Sequence, residues 1–178
     1  MRRILLAAIC ASLPVALGAT VLVPIEFREL VTVSTAIVHG RVTDVRAEWI
    51  DGRRAIETVV TLDAREYLKG NLGGTVPVRV PGGQIGRYRT IFVGAPALHA
   101  GDDLVLFLRG DRIVGLNQGA FRVVADARTG TPMVVSPIVM ATGGDAPERI
   151  VRGDVRRAPV SVDAFRDTVR QILAAGAR

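Results

Sequence analysis

Short runs rich in β-branched residues recur along this chain at intervals of roughly 8–12 residues, each closed by glycine, proline or aspartate. That spacing narrows the fold more than any other feature. It predicts strands over residues 36–45, 56–68, 75–80, 104–108, 112–116, 120–125 and 132–135. Their number and rhythm suit a barrel or a sandwich. No internal repeat accompanies them.

Local detail sharpens the pattern. Gly40 lies inside the first strand, where glycine marks a bulge or a bend, and a long strand bent there lets a small sheet curl. In the second strand Thr58, Val60, Leu62 and Ala64 line one side, and Val59, Thr61, Asp63 and Arg65 the other. Asp51-Gly52, just after Trp49 and Ile50, is a hairpin turn signal. Pro77 puts the third strand at a sheet edge. Leu104-Val105-Leu106-Phe107-Leu108 is apolar throughout, as befits a central strand covered on both faces. Residues 84–100 are the least regular stretch and contain the apolar piece Ile91-Phe92-Val93.

Helical spacing appears at both ends. Phe27, Leu30 and Val31 share one face of a short segment that follows Pro24. Near the C-terminus Val162, Phe165, Val169, Ile172 and Leu173 form one apolar stripe. Ser161 is its N-cap, Asp163 suits the helix dipole, and Gly176 is the stop. This stripe either packs on the barrel or docks on a partner or an anionic membrane, helped by Arg149, Arg152, Arg156 and Arg157. Asp163 and Asp167 dilute the basic face, so packing is the expectation.

The N-terminus reads as an export signal. Met1, Arg2 and Arg3 precede an apolar run from Ile4 to Leu13, and small residues follow at Gly18 and Ala19. Cys10 is preceded by Ile9, not by the small residue of a lipoprotein signal. The alternative is an uncleaved membrane anchor, which Pro14 and Pro24 would disturb. Cleavage after Ala19 leaves 159 residues without cysteine, so neither a disulfide framework nor a cysteine-rich zinc site is open to the mature chain. With 49% hydrophobic and 22% charged residues, the chain has the means to build a core. The expected domains are a signal over 1–19, a barrel over 20–140, a Gly/Pro/Arg linker over 141–160 and a helix over 161–176.

Charge separates the two halves. Residues 20–148 hold 14 cationic and 14 acidic side chains, whereas 149–178 hold seven arginines against three aspartates. A balanced body lacks the electrostatic footprint of a nucleic-acid binder. Aromatics at 4% argue against an extended stacking surface.

The order of these elements carries a resemblance. Ser34-Thr35-Ala36-Ile37-Val38-His39-Gly40-Arg41-Val42 is followed by a β-rich run closing in Tyr67-Leu68-Lys69-Gly70. Val76 to Val80 and glycines come next, then Gly101-Asp102-Asp103-Leu104-Val105-Leu106-Phe107-Leu108. This succession resembles the netrin-like module, the type of the tissue inhibitors of metalloproteinases, across about 75 residues. The resemblance implies an OB-like five-stranded barrel. The family inhibitors chelate a protease zinc with an N-terminal cysteine, and neither that cysteine nor the family's disulfides is present in the mature chain. Only the barrel carries over.

Chemical constellations are sparse. His39 and His99 are the only histidines, and no G-x-S-x-G elbow pairs them with Ser34, Ser136 or Ser161. Asp102-Asp103 points to opposite faces of a strand, and two separated histidines lack zinc spacing. Pro81-Gly82-Gly83-Gln84-Ile85-Gly86 is glycine-rich but lacks the lysine and hydroxyl of a phosphate loop. Arg87-Tyr88-Arg89 is the one candidate ligand or partner site, able to hold an acidic or sugar ligand, against its reading as a solvated hairpin tip. The expectation is an exported, non-enzymatic module with no cofactor or metal. It binds another exported protein rather than nucleic acid, and touches membrane only through its signal or its basic C-terminal segment. The alternative is a ligand- or carbohydrate-binding domain.

Overall fold

A computed structural model of the chain describes residues 25–137 and 159–176. The signal segment 1–19 and all but the last two residues of the 141–160 linker lie outside the described residues. The fold is mainly β. Helix α1 (Phe27–Val33) leads into two long strands, β1 (Ala36–Ile50) and β2 (Ala55–Lys69). Then come β3 (Thr75–Pro81), a small hairpin of β4 (Gly83–Ile85) and β5 (Tyr88–Thr90), β6 (Asp103–Arg109) and β7 (Arg112–Ile113). A 3-10 turn (Leu116–Gly119), β8 (Ala120–Ala125), β9 (Pro132–Val135), β10 (Val160–Ser161) and α2 (Val162–Gly176) complete it.

β1 pairs antiparallel with β2 along one edge and with β6 along the other. β2 pairs with β3, and β3 meets β7 through a single parallel pair, Arg79 opposite Arg112. β7 and β8 both pair with β6, and β9 and β10 extend the sheet beyond β8. The β1–β2 register slips at His39/Gly40, as a mid-strand glycine foretells. A Cβ on Gly40 would collide with the backbone carbonyl of Asp63, so only glycine lets the two strands approach here.

β6 separates two apolar cores. Leu104, Leu106 and Leu108 join Val38, Val42, Val60, Leu62, Val76 and Val78 on one side. Val105 and Phe107 face the other, with Leu30, Val31, Phe121, Phe165 and Val169. The unbroken apolar run of this strand follows from that double burial. Helix α2 turns its stripe into the second core, and the Ser161 hydroxyl accepts the Ala164 N–H at 3.2 Å as its N-cap. Arg166 donates to Glu66 at 2.8 Å, which ties α2 to β2 and holds the guanidinium yet more firmly protonated. Four of the five phenylalanines, Phe27, Phe107, Phe121 and Phe165, meet here with centroids 5.3–6.3 Å apart.

Five details differ from the sequence reading. The first strand, expected over 36–45, runs on to Ile50. The strand expected over 112–116 ends at Ile113, because Gly115 and Leu116 take left-handed φ of 63° and 57° and turn the chain into the 3-10 element. The irregular stretch 84–100 contains β5 and most of β4. Strict alternation in β2 breaks where Arg65 is left unpaired, so that Tyr67 packs on the same core as Ala64. Val160, the last residue assigned to the linker, pairs with Val134 in β10.

Candidate ligand cleft and apolar loop

The β1–β2 hairpin closes in a turn of unusual backbone. Asp51, Gly52 and Arg53 have φ of 54°, 60° and 69°, all left-handed. Glycine adopts this freely and aspartate tolerates it, whereas for arginine it is uncommon. The turn sets Arg53 and Arg54 at the hairpin tip.

The β4–β5 hairpin folds back over the same end of β1 and β2. Gly82 and Gly83, with φ of 91° and 151°, make the bend. A Cβ on Gly83 would come within 2.7 Å of Thr58 Oγ1 and 3.0 Å of Ile56 Cγ2, so a side chain there would lift the hairpin away. Polar contacts pin it down. Thr58 Oγ1 donates to the Gly82 carbonyl at 2.7 Å, and the Ile56 N–H donates to Thr90 Oγ1 at 3.1 Å. Across the junction Trp49 meets Tyr88 edge-to-face, 5.5 Å between centroids at 66°. Between the two hairpins opens a cleft of about 340 Å³, lined by these two rings with Arg53, Arg54, Ile56, Arg89 and Thr90.

Of the residues singled out from sequence, Tyr88 and Arg89 line this cleft. Arg87 sits in the hairpin turn with its guanidinium 5.1 Å above the Tyr88 ring, donating to the Tyr88 hydroxyl at 3.1 Å. Trp49, Arg53 and Arg54 were not foreseen. A lone tryptophan four residues before an Arg-Arg pair, across a turn signal, is the clue the sequence held. Arg53, Arg54, Arg87 and Arg89 form no ion pair among the described residues. Nearby Glu48 is taken by Arg46 at 3.0 Å and by Arg79 at 3.8 Å.

Next along the chain, Ile91, Phe92 and Val93 are 72%, 51% and 55% exposed. Phe92 overhangs a second, more apolar hollow of about 260 Å³ with Val80, Pro81, Pro96, Ile113 and Leu116. Its rim holds Arg79 and Arg112, and both guanidiniums grip Glu57, at 3.2 and 2.7 Å.

The histidines lie elsewhere. His39 is half-buried on β1 and hydrogen-bonds Asp103 Oδ1 at 2.8 Å, while Arg65 holds Oδ2 at 2.6 Å. Asp102 faces away from this cluster, accepting the His99 N–H at 2.9 Å and pairing with Arg122 at 2.9 Å. The buried Ser34 hydroxyl donates to the Leu30 carbonyl at 2.7 Å, at the end of α1. Among the described residues no three His, Cys, Asp or Glu side chains converge as metal ligands. No described helix is long and apolar enough to cross a membrane. No family model, curated protein or solved structure matches this chain.

Proposed function

We propose that this chain is an exported, non-enzymatic binding module, an OB-like barrel of netrin-like type that holds another exported protein. The barrel is supported by the pairings, which run from β1 through β2, β3, β7 and β6 and return to β1, with β3 and β7 parallel. Export is supported by the charged and apolar segments at the N-terminus. N-terminal sequencing of the exported protein is expected to read from Ala19 or Thr20, and a start at Met1 would overturn cleavage.

One observation carries the binding function. Three consecutive apolar side chains, Ile91-Phe92-Val93, stand in solvent beside an apolar hollow, although the protein packs its other four phenylalanines together in one core. Fully burying such a side chain stabilises a complex by about 1.5–3 kcal/mol. Arginine at the rim of the hollow, Arg79 and Arg112, matches the anatomy of a protein interface. The partner is therefore a protein surface with an apolar knob flanked by acidic side chains.

A photo-crosslinking side chain placed at Phe92 tests this in the exporting cell. The expected result is one dominant crosslinked protein, whose purified form binds the wild-type chain. Ile91→Ser with Val93→Ser is expected to abolish that binding without lowering the melting temperature. Absence of any specific crosslink, or undiminished binding by the double variant, would overturn the reading.

A further inference from the structure

We infer that the cleft between the two hairpins is a second binding site, separate from the Ile91-Phe92-Val93 loop, for a small anion attached to a ring. The ligand class is one or two rings, sugar or aromatic, bearing a carboxylate or phosphate.

Three features of the cleft select this chemistry. Its volume of about 340 Å³ lies at the small end of ligand pockets, enough for a compact ligand but not for a folded partner. Trp49 and Tyr88 supply apolar ring surface for a stacking partner. Arg53, Arg54 and Arg89 supply planar forks that match a carboxylate or phosphate, and none is neutralised by a described acid. A neutral sugar would leave these cations without a purpose. A long polyanion would need a charged track, and residues 20–148 carry equal numbers of cations and acids. A single localised anion fits both facts. Arg87 adds to the site at one remove, fixing the Tyr88 ring from above.

The left-handed turn is consistent with a built site. Holding Arg53 at φ of 69° is unfavourable, and strained backbone of this kind gathers where side chains are aimed at a ligand. The packing of β4–β5 through Gly83, Thr58 and Thr90 then fixes the other wall.

The protein offers its own reporter, because Trp49 is its only tryptophan. The full exported chain is titrated with a galacturonate disaccharide and with adenosine monophosphate. The matched neutral compounds, a galactose disaccharide and adenosine, and inorganic phosphate serve as comparisons. Expected is a saturable change in Trp49 emission with at least one ring-bearing anion, with affinity about tenfold or more above its neutral counterpart and above phosphate. A response to the acidic disaccharide alone assigns a sugar acid, and a response to the nucleotide alone assigns a nucleotide. Arg53→Ala with Arg54→Ala is expected to weaken binding at least about tenfold at unchanged melting temperature. Arg89→Ala, from the opposite wall, is expected to do the same, so that a folding defect in one variant leaves the other to decide. Calorimetric titration repeats the measurement without relying on Trp49. No saturable response to either anion, equal affinity for a neutral counterpart or for phosphate, or undiminished binding in both variants would overturn the inference. The Ile91 and Val93 substitutions are expected to leave this binding intact, so failure of the protein-partner reading and failure of this one are distinguishable.

Discussion

The seam between β3 and β7 is the thinnest part of the sheet, and its chemistry leads to an asymmetric prediction. The two strands share one backbone pair, Arg79 opposite Arg112. Both guanidiniums converge on Glu57 of β2, whose side chain is 4% exposed, while their own side chains are 38% and 56% exposed. Removing the carboxylate leaves two arginines that water solvates. Each lost charge-assisted contact is worth about 1.5–3 kcal/mol at full burial, and exposure of the arginines discounts it, so Glu57→Ala should cost about 1–3 kcal/mol in total. Removing both arginines instead strands a buried carboxylate without a partner, which should cost about 3–5 kcal/mol. The more exposed residues are thus the more expensive to delete. Urea denaturation of Glu57→Ala and of Arg79→Ala with Arg112→Ala, followed by circular dichroism and Trp49 emission, measures both values. A double variant no less stable than Glu57→Ala would refute the argument, because the arginines would then be decoration on an already closed seam.

Two further outcomes follow from the packing. Phe165→Ala removes the ring that reaches Phe27 and Phe121 at 5.4 Å each, and should cost about 3–5 kcal/mol by denaturant titration, whereas a helix docked elsewhere would cost under about 0.5 kcal/mol. In the β8–β9 turn, hydrogen bonds from Thr129 backbone, Thr129 hydroxyl and Arg128 backbone, in that order, hold the Asp126 carboxyl below its ordinary value of 3.8. A depressed folded value contributes stability that is present above 3.8 and lost as pH falls through the folded value. The stability gap between wild type and Asp126→Asn should therefore close on acidification, and a gap that widens would contradict the sign.

Much of the architecture was written in local pattern. The limits of β8 and β9, the face of α1, the stripe and cap of α2 and the double burial of β6 all follow from spacing and residue type. What escaped was decided by backbone conformation or distant contact. Nothing in Val114-Gly115-Leu116 announces that Leu116 will take a left-handed φ, so residue pattern alone extends β7 too far. The bulge at Arg65 is set by its partner strand and by Asp103, 38 residues away, and period-two counting is blind to it. Glu57 occupies a strand position that composition assigns to solvent, and only two arginines from other strands make its burial tolerable.

The candidate site was legible by half, for a definite reason. Arg87-Tyr88-Arg89 is a contiguous cluster, and contiguity is what reading along a chain detects. The other wall, Trp49, Arg53 and Arg54, lies more than 30 positions earlier and joins it only because Gly82 and Gly83 fold one hairpin across another. Those glycines looked like a simple break between strands. Their role in the fold is to let β4 lie against Ile56 and Thr58, a contact that any side chain at Gly83 would prevent. The cleft therefore depends on an absence of side chain at one position as much as on the presence of arginine and aromatic rings at five others. A Gly83→Val substitution should separate the walls, abolishing the cleft's response while the two apolar cores, which Gly83 does not touch, keep the rest of the sheet folded.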